Sequence, residues 1–127
     1  MERWASALMA VAALTGAAGV IEAAAAAHGT DDRLLQTSAN FLLLTAASTM
    51  GIVACALGLR RRVACFLVAA SFLLAGCLLF CGDLTVRVFF AHGLFAFAAP
   101  TGGTMMILSW LAAALIAVSS WFGRSEN

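Results

Sequence analysis

The residues of this chain that could do chemistry are few, and most lie next to long apolar runs. The stretch LLFCGDLTVRVFF, residues 78–90, places an acid, Asp83, four residues before a base, Arg87. Residues at i and i+4 lie on one face of a helix, so the spacing predicts an ion pair if the helix continues through Arg87. If the pair is a structural contact near a helix end, we expect Arg87→Ala to lower yield or assembly and Asp83→Ser to be tolerated. If it is a functional couple, both substitutions should cause equal, large losses.

Glu22 is the second candidate, because it lies about five residues, ~8 Å, inside the end of the first apolar run. A carboxyl group at that depth in lipid is a functional-site hypothesis. It either makes structural hydrogen bonds or takes part in binding or proton movement. The candidate partners are Arg33, Arg87, Asn40 and Thr45.

Two histidines, His28 and His92, lie on the same side of the predicted membrane domain. A pair of histidines can hold a haem iron axially, which makes a haem-binding redox subunit one hypothesis. Each histidine also sits beside a glycine in a predicted connection, where histidine is an ordinary interfacial residue. We favour the second interpretation and predict no cofactor.

Other catalytic or metal-binding patterns do not occur in the sequence. The cysteines Cys55, Cys65, Cys77 and Cys81 lie in apolar runs without CxxC or Cys/His spacing. Cys77 and Cys81 share a helix face, but two thiols alone do not form a closed zinc site. We find no nucleophile–base pair, and TGG at 101–103 is too short to be a phosphate-binding loop. The sequence therefore predicts no catalytic residue, no metal site and no enzymatic activity.

The composition places these residues in a membrane protein. The chain has 127 residues, of which 64% are apolar and 10% charged, whereas a soluble domain carries about 25% charged residues. Most of its surface must therefore face lipid. The net charge of +1 lacks the dense basic patch that nucleic-acid binding needs.

The apolar runs predict an all-α membrane protein with a single domain, residues 1–127. At ~20 residues per span, it folds as a four-transmembrane-helix bundle with short connections over residues 4–27, 34–59, 63–84 and 104–122. The first run also looks like a secretory signal, but its length predicts a retained span. Residues 88–100 are too short to cross and predict an interfacial aromatic segment before the last helix, which Pro100 and two glycines separate from a fresh helix start.

The arginines predict the orientation. Five lie on the side that holds both termini and the second connection: Arg3, Arg60, Arg61, Arg62 and Arg124. Arg33 and Arg87 lie on the other side. Because cytoplasmic loops carry the excess of positive charge, both termini are predicted to be cytoplasmic.

Small residues repeat at i, i+4 along several spans, as in Ala47/Gly51 and Ala54/Gly58. This spacing lets helix backbones approach closely in lipid. A chain this small cannot bury all such faces internally, so contacts with another membrane subunit are expected. The candidate helix-packing positions are Gly16, Gly51, Gly58, Gly102 and Gly103.

Several short patterns, taken together, resemble a known family. They are AAHG at 26–29, Leu79-Phe80 with Gly82 and Leu84, Pro100 with Gly102 and Gly103, and Trp110. Their order and spacing are similar to those of the small four-helix proteins grouped as domain of unknown function 423, a bacterial inner-membrane family with eukaryotic relatives. The resemblance implies four transmembrane helices in the bacterial cytoplasmic membrane and supplies no established activity.

Three positions depart from that family's usual pattern. The first span ends in Ala23–Ala27 where a glycine-rich end is typical, Thr45 stands where a histidine is frequent, and Asp83 replaces a small hydroxyl residue.

Three functional hypotheses follow. The leading one is a non-catalytic accessory or scaffold subunit that packs against a larger membrane protein complex, with lipid and other membrane subunits as partners. The second is a minimal oligomeric transporter, or a proton or ion path, that uses Glu22. The third is the haem-binding subunit with His28 and His92.

Overall fold

The computed structural model describes residues 1–29, 33–60 and 62–122, and within them the chain forms four long helices. They are α1 (Glu2–His28), α2 (Arg33–Leu59), α3 (Val63–Phe90) and α4 (Ala98–Phe122). At 25 to 28 residues, each is long and apolar enough to cross a membrane. The predicted all-α architecture with four membrane-spanning helices is therefore confirmed at this level. Two of the orientation-setting arginines, Arg61 and Arg124, lie outside the described residues.

Two helix ends differ from the predicted spans. α3 continues to Phe90 rather than ending near residue 84, because the acid and the base in its last turns face one another. α4 begins at Ala98 rather than Thr104. Pro100 lies in the first turn of α4, where a helix needs no backbone N–H from it. The non-helical connection is therefore residues 91–97 and not the predicted segment 88–100.

The helices alternate in direction, and neighbours along the chain pack against each other. α1 packs on α2, α2 on α3 and α3 on α4, with a smaller contact between α1 and α3. We call the end of the bundle that holds Met1, the α2–α3 connection and Phe122 the termini end, and the opposite end the far end. Trp4, near the termini end of α1, donates a 3.2 Å hydrogen bond from Nε1 to Ser71 Oγ of α3.

The interior has two apolar clusters at different depths. The termini-end cluster joins α1, α2 and α3 through Ala5, Leu8, Ala12, Val53, Leu67, Ala70 and Leu74. The far-end cluster joins α2, α3 and α4 through Leu42, Leu73, Cys77, Cys81 and Met106. Two thiols, Cys77 and Cys81, enter the far-end cluster.

Close backbone approach holds α4 on α3. A Cβ atom added to Gly102 would lie 2.6 Å from both Gly76 O and Phe80 N, so the two helices touch backbone to backbone there. In lipid, such close contact through small residues is the main source of helix association. The predicted packing role of Gly102 is thus seen within the chain, while its neighbour Gly103 faces a looser contact, 3.9 Å from Phe80 Cδ2.

We predict that Gly102→Ala lowers the free energy of unfolding by about 1–3 kcal/mol, because backbone atoms cannot move aside without separating α3 from α4. Gly103→Ala is the matched control. Its added methyl group meets only ordinary contact, so stability should stay level or rise slightly through helix propensity. Unfolding in mixed detergent, followed by circular dichroism, measures both. Equal stability of the two variants would contradict the close backbone contact between α3 and α4 at Gly102.

Candidate functional site

Two groups of polar side chains lie in the interior at the far end, while the buried hydroxyls of Thr15, Thr45, Thr49 and Ser109 are spread along α1, α2 and α4. One group surrounds Asp83 and ties α3 to the connection that follows it. The other, which we call the polar seam, runs between α1, α2 and α3 and consists of Glu22, Ser38, Cys77, Cys81 and Thr85.

Asp83 is fully buried, and both of its carboxylate oxygens are hydrogen-bonded. Oδ2 accepts a 2.7 Å bond from Arg87 Nε, which confirms the ion pair predicted from the i, i+4 spacing. Oδ1 accepts a 2.7 Å bond from the backbone N–H of Leu94. Asp83 therefore fastens the 91–97 connection to the end of α3, a role that the sequence analysis missed.

Gly93 is part of the same arrangement. A Cβ atom at this residue would lie 2.7 Å from both Asp83 Oδ1 and Arg87 Nη2. The absence of a side chain at Gly93 lets the connection fold over the ion pair. The Arg87 side chain remains 44% exposed, so its guanidinium neutralises the buried carboxylate from the surface.

Glu22 has one bonded and one unbonded carboxylate oxygen. Oε1 accepts a 2.7 Å hydrogen bond from the hydroxyl of Thr85, whereas the buried Oε2 has no hydrogen-bond partner. Thr85 is not among the four expected partners. Arg87 is bonded to Asp83, Asn40 accepts a bond from Gln36 on the surface of α2, and no bond joins Arg33 or Thr45 to Glu22 among the described residues.

Thr85 links the carboxylate to the rest of the seam. Its Oγ1 also lies 2.8 Å from Cys81 O and 3.4 Å from Ser38 Oγ. A hydroxyl group has one hydrogen to donate, so Glu22 and the Cys81 carbonyl compete for it. The polar seam therefore has fewer hydrogen-bond donors than acceptors around Glu22.

The two seam cysteines continue the polar groups towards the middle of α3. Their Sγ atoms are 3.7 Å apart, which confirms that they share a helix face. Cys77 Sγ donates to Phe41 O and Cys81 Sγ donates to Ser38 O, each at 3.5 Å. These thiols thus act as weak hydrogen-bond donors that join α3 to the backbone of α2.

The seam covers only part of the bundle. From Thr85 to Cys77 it extends ~12 Å along α3, and the apolar termini-end cluster lies beyond it. Further along α2 lie the buried hydroxyls of Thr45 and Thr49, and Thr49 Oγ1 has no hydrogen-bond partner within the described residues. The seam can hold a small polar group at the far end.

The two histidines lie outside both groups. His28 is exposed in the last turn of α1, and His92 is exposed in the connection, with its ring centroid 6.2 Å from that of Phe90. His92 Nδ1 lies 3.1 Å from Gly93 O. Among the described residues, no three His, Cys, Asp or Glu side chains form a group that could hold a metal ion. A haem site therefore stays a prediction that no contact supports.

Sequence reasoning missed Thr85, Ser38 and Leu94. The first two are small hydroxyl residues in apolar surroundings, and the i, i+4 spacing of Cys81 and Thr85 was the available signal for a polar face of α3. The bond to Leu94 uses a backbone group, so side-chain patterns carry no sign of it.

Comparison with known families and proteins gives one result. The family model described as "Protein of unknown function (DUF423)" matches residues 22–103. No curated protein and no solved structure gives a match. The matched range covers α2, α3, the polar seam and the start of α4, and it confirms the resemblance found in the sequence.

The structure changes the expected outcome of substitutions at the ion pair. Asp83→Ser should lower the free energy of unfolding by about 1–3 kcal/mol, because it removes the acceptor of both Arg87 Nε and the Leu94 N–H. Arg87→Ala should cost more, since it leaves a buried carboxylate without its cation. We predict that the double variant is more stable than Arg87→Ala alone, as measured by unfolding in mixed detergent.

The surface pair Glu2 and Arg3 supplies the control for that cycle, because both residues are exposed at the termini end. Glu2→Ser and Arg3→Ala should add without coupling. If the costs of Asp83→Ser and Arg87→Ala simply add as well, the two residues do not act as one structural unit.

Proposed function

The chain belongs to the DUF423 family of proteins of unknown function, and we propose that it is a non-catalytic accessory or scaffold subunit of a larger membrane protein complex. In this proposal α2 forms the contact with a transmembrane helix of the partner. The observation that carries it is an exposed stripe on α2, with alanine or glycine at four of its six positions, that the other helices of the chain leave uncovered.

The stripe follows a strict spacing of four and three residues. Its six members are all exposed, and we call them the α2 stripe: Asn40, Leu44, Ala47, Gly51, Ala54 and Gly58. They extend over ~27 Å of helix, which is close to the ~30 Å thickness of the hydrocarbon core. A complete transmembrane helix can therefore lie along the stripe.

The two glycines of the stripe have free space around them. A Cβ atom at Gly51 or Gly58 would meet no atom within 4 Å, whereas one at Gly16 would lie 3.3 Å from Ala46 Cβ. The chain thus uses Gly16 for its own α1–α2 contact and leaves Gly51 and Gly58 unused. Small residues at this spacing are the usual contact surface between membrane helices.

Polar side chains at the far end of α2 provide independent support. Gln36 Nε2 donates a 3.3 Å hydrogen bond to Asn40 Oδ1, and both side chains are exposed. Amide groups facing lipid are costly, and amides between membrane helices bond across the interface. A partner helix on the α2 stripe would give these amides a place to donate and accept.

The orientation belongs to the same proposal. Arg3, Arg60 and Arg62 lie at the termini end among the described residues. An excess of arginine on one side supports a multi-pass protein of the bacterial cytoplasmic membrane with this end in the cytoplasm. The partner helix would then meet Gly58 near the cytoplasmic surface and Asn40 near the outer one.

We predict that Gly51→Leu combined with Gly58→Leu reduces co-purification of the partner at least tenfold, because two leucines keep the helix backbones apart. The fold itself should be unaffected, since a Cβ atom at either position meets nothing within 4 Å and leucine is a better helix former than glycine. Quantitative mass spectrometry after purification from native membranes in gentle detergent measures the partner.

Ala114→Leu, on an exposed part of α4, is the matched control and should retain the partner. A photocrosslinking residue at position 51 should capture another membrane polypeptide, and one at position 114 should not. Purification of the wild-type chain as a lone monomer, or crosslinks only to its own copies, would contradict the accessory role.

A second candidate function is a minimal oligomeric transporter or a proton or ion path that uses Glu22. The buried, unbonded Oε2 of Glu22 favours it, because such an atom is placed to accept a proton donor or a cation. The polar seam covers only the far end of the bundle, and in this alternative further copies of the chain supply the rest of the path.

Reconstitution into vesicles separates the two functions. The accessory role predicts that purified wild-type protein carries no more proton or sodium flux than empty vesicles. Flux in the wild type that falls at least tenfold in Glu22→Gln, but not in the control Gln36→Ala, would replace it with the transport function. Flux that is the same in Glu22→Gln removes Glu22 from the path.

A further inference from the structure

We propose that the groove between α3 and α4 at the termini end binds one anionic phospholipid, with an acyl chain in the groove and the phosphate at Arg60 and Arg62. The groove lies apart from the α2 stripe and from the polar seam, and the inference does not depend on the proposed function. It rests on the shape, the lining and the charge of this end of α3.

The groove exists because α4 is packed closely only along its first half. The buried residues of α4 are Ala98, Gly102, Met106 and Ser109, and none of the residues from Trp110 to Phe122, all of which the structure describes, is buried. Beyond Ser109 the two helices leave a space of about 640 Å³ open to the surface. Its lining residues are Ala64, Cys65, Val68, Ala69, Phe72, Met105, Leu108, Ser109, Ala112 and Ile116.

The lining of the groove is apolar and suits a hydrocarbon chain. Nine of the ten residues carry apolar or thiol side chains, and the hydroxyl of Ser109 already donates a 2.7 Å bond to Met105 O. A ligand with polar groups along its length would therefore find no partners there.

The length of the groove selects an acyl chain over a helix. It covers ~12 Å of α3 from Ala64 to Phe72 and ~17 Å of α4 from Met105 to Ile116, which is about half of the ~30 Å hydrocarbon core. A groove that starts at the membrane surface therefore ends near the middle of the bilayer, at about the depth of one leaflet. A partner helix would need contact across the whole core, as the α2 stripe offers, whereas an acyl chain of one leaflet ends at this depth.

The surface end of the groove is positively charged. Arg62 is the N-cap residue of α3 and makes no side-chain capping bond, and the first turn, which the structure describes completely, contains no acidic residue. Arg60 precedes it in the connection, and Ala64 and Cys65 of the groove follow within one turn.

The helix start adds further donors for an anion. The first backbone N–H groups of a helix have no partners inside it, and the helix dipole is positive at this end. Two arginines beside these groups form a site for a phosphate. A phosphate joined to hydrocarbon is a phospholipid, and two arginines favour one with a net negative charge over a zwitterionic one, whose own cation repels them.

The test compares lipid binding to the purified full-length chain in zwitterionic micelles by native mass spectrometry, with phosphatidylglycerol and phosphatidylcholine of equal chain length. We expect phosphatidylglycerol to bind more tightly. Arg60→Gln with Arg62→Gln should lower its apparent affinity roughly thirtyfold, the factor expected for two arginines at an anionic headgroup. Arg60→Lys with Arg62→Lys should keep most of the affinity, and Arg3→Gln should keep all of it.

A second variant tests the groove separately. Ala112→Phe fills the space without touching the arginines and should also abolish the preference, whereas Ala114→Phe on the exposed side of α4 should not. Helix content and monodispersity verify that each variant folds. Equal binding of the two lipids overturns the proposal, and so does binding that survives Ala112→Phe or is displaced by millimolar inorganic phosphate, because the phosphate site would then act without the groove.

Discussion

The backbone contact between Gly76 and Gly102 is the constraint on which most of this structure depends. Lipid gives membrane helices no hydrophobic reason to associate, so α4 stays on α3 through close packing at that crossing. The crossing sets where α4 begins, and therefore how the 91–97 connection must turn back over the end of α3. It also sets where the two helices part, since close packing ends one to two turns beyond Gly102.

Two buried acids show two ways of placing a carboxylate in such an interior. Asp83 is satisfied on both oxygens, by Arg87 and by the N–H of Leu94, and so it works as a fastening for the chain. Glu22 has one hydroxyl partner and one bare oxygen. A protein that needed only stability would gain from a second donor at Glu22, which is why this residue keeps its place among the functional candidates.

The architecture was predictable because length, hydropathy and charge act over whole helices. The ion pair at residues 83 and 87 and the shared face of Cys77 and Cys81 were predictable for a similar reason, since helix geometry alone sets i, i+4 neighbours. Contacts between helices were not. The bond from Thr85 to Glu22 depends on how α1 and α3 are rotated, and the bond to Leu94 uses a backbone group. The start of α4 was misplaced because Pro100 was taken to break the chain before the helix, although proline is well tolerated in a first turn.

The unequal filling of the interior has an electrical consequence. For about a dozen ångströms from the far end, oxygen and sulfur atoms line the space between α1, α2 and α3. Towards the termini end, alkyl groups predominate and the buried hydroxyls of Thr15, Thr45 and Thr49 are set among them. Alkyl groups polarise weakly, so in a membrane more of the voltage would drop over the termini-end half than over the polar recess at the far end.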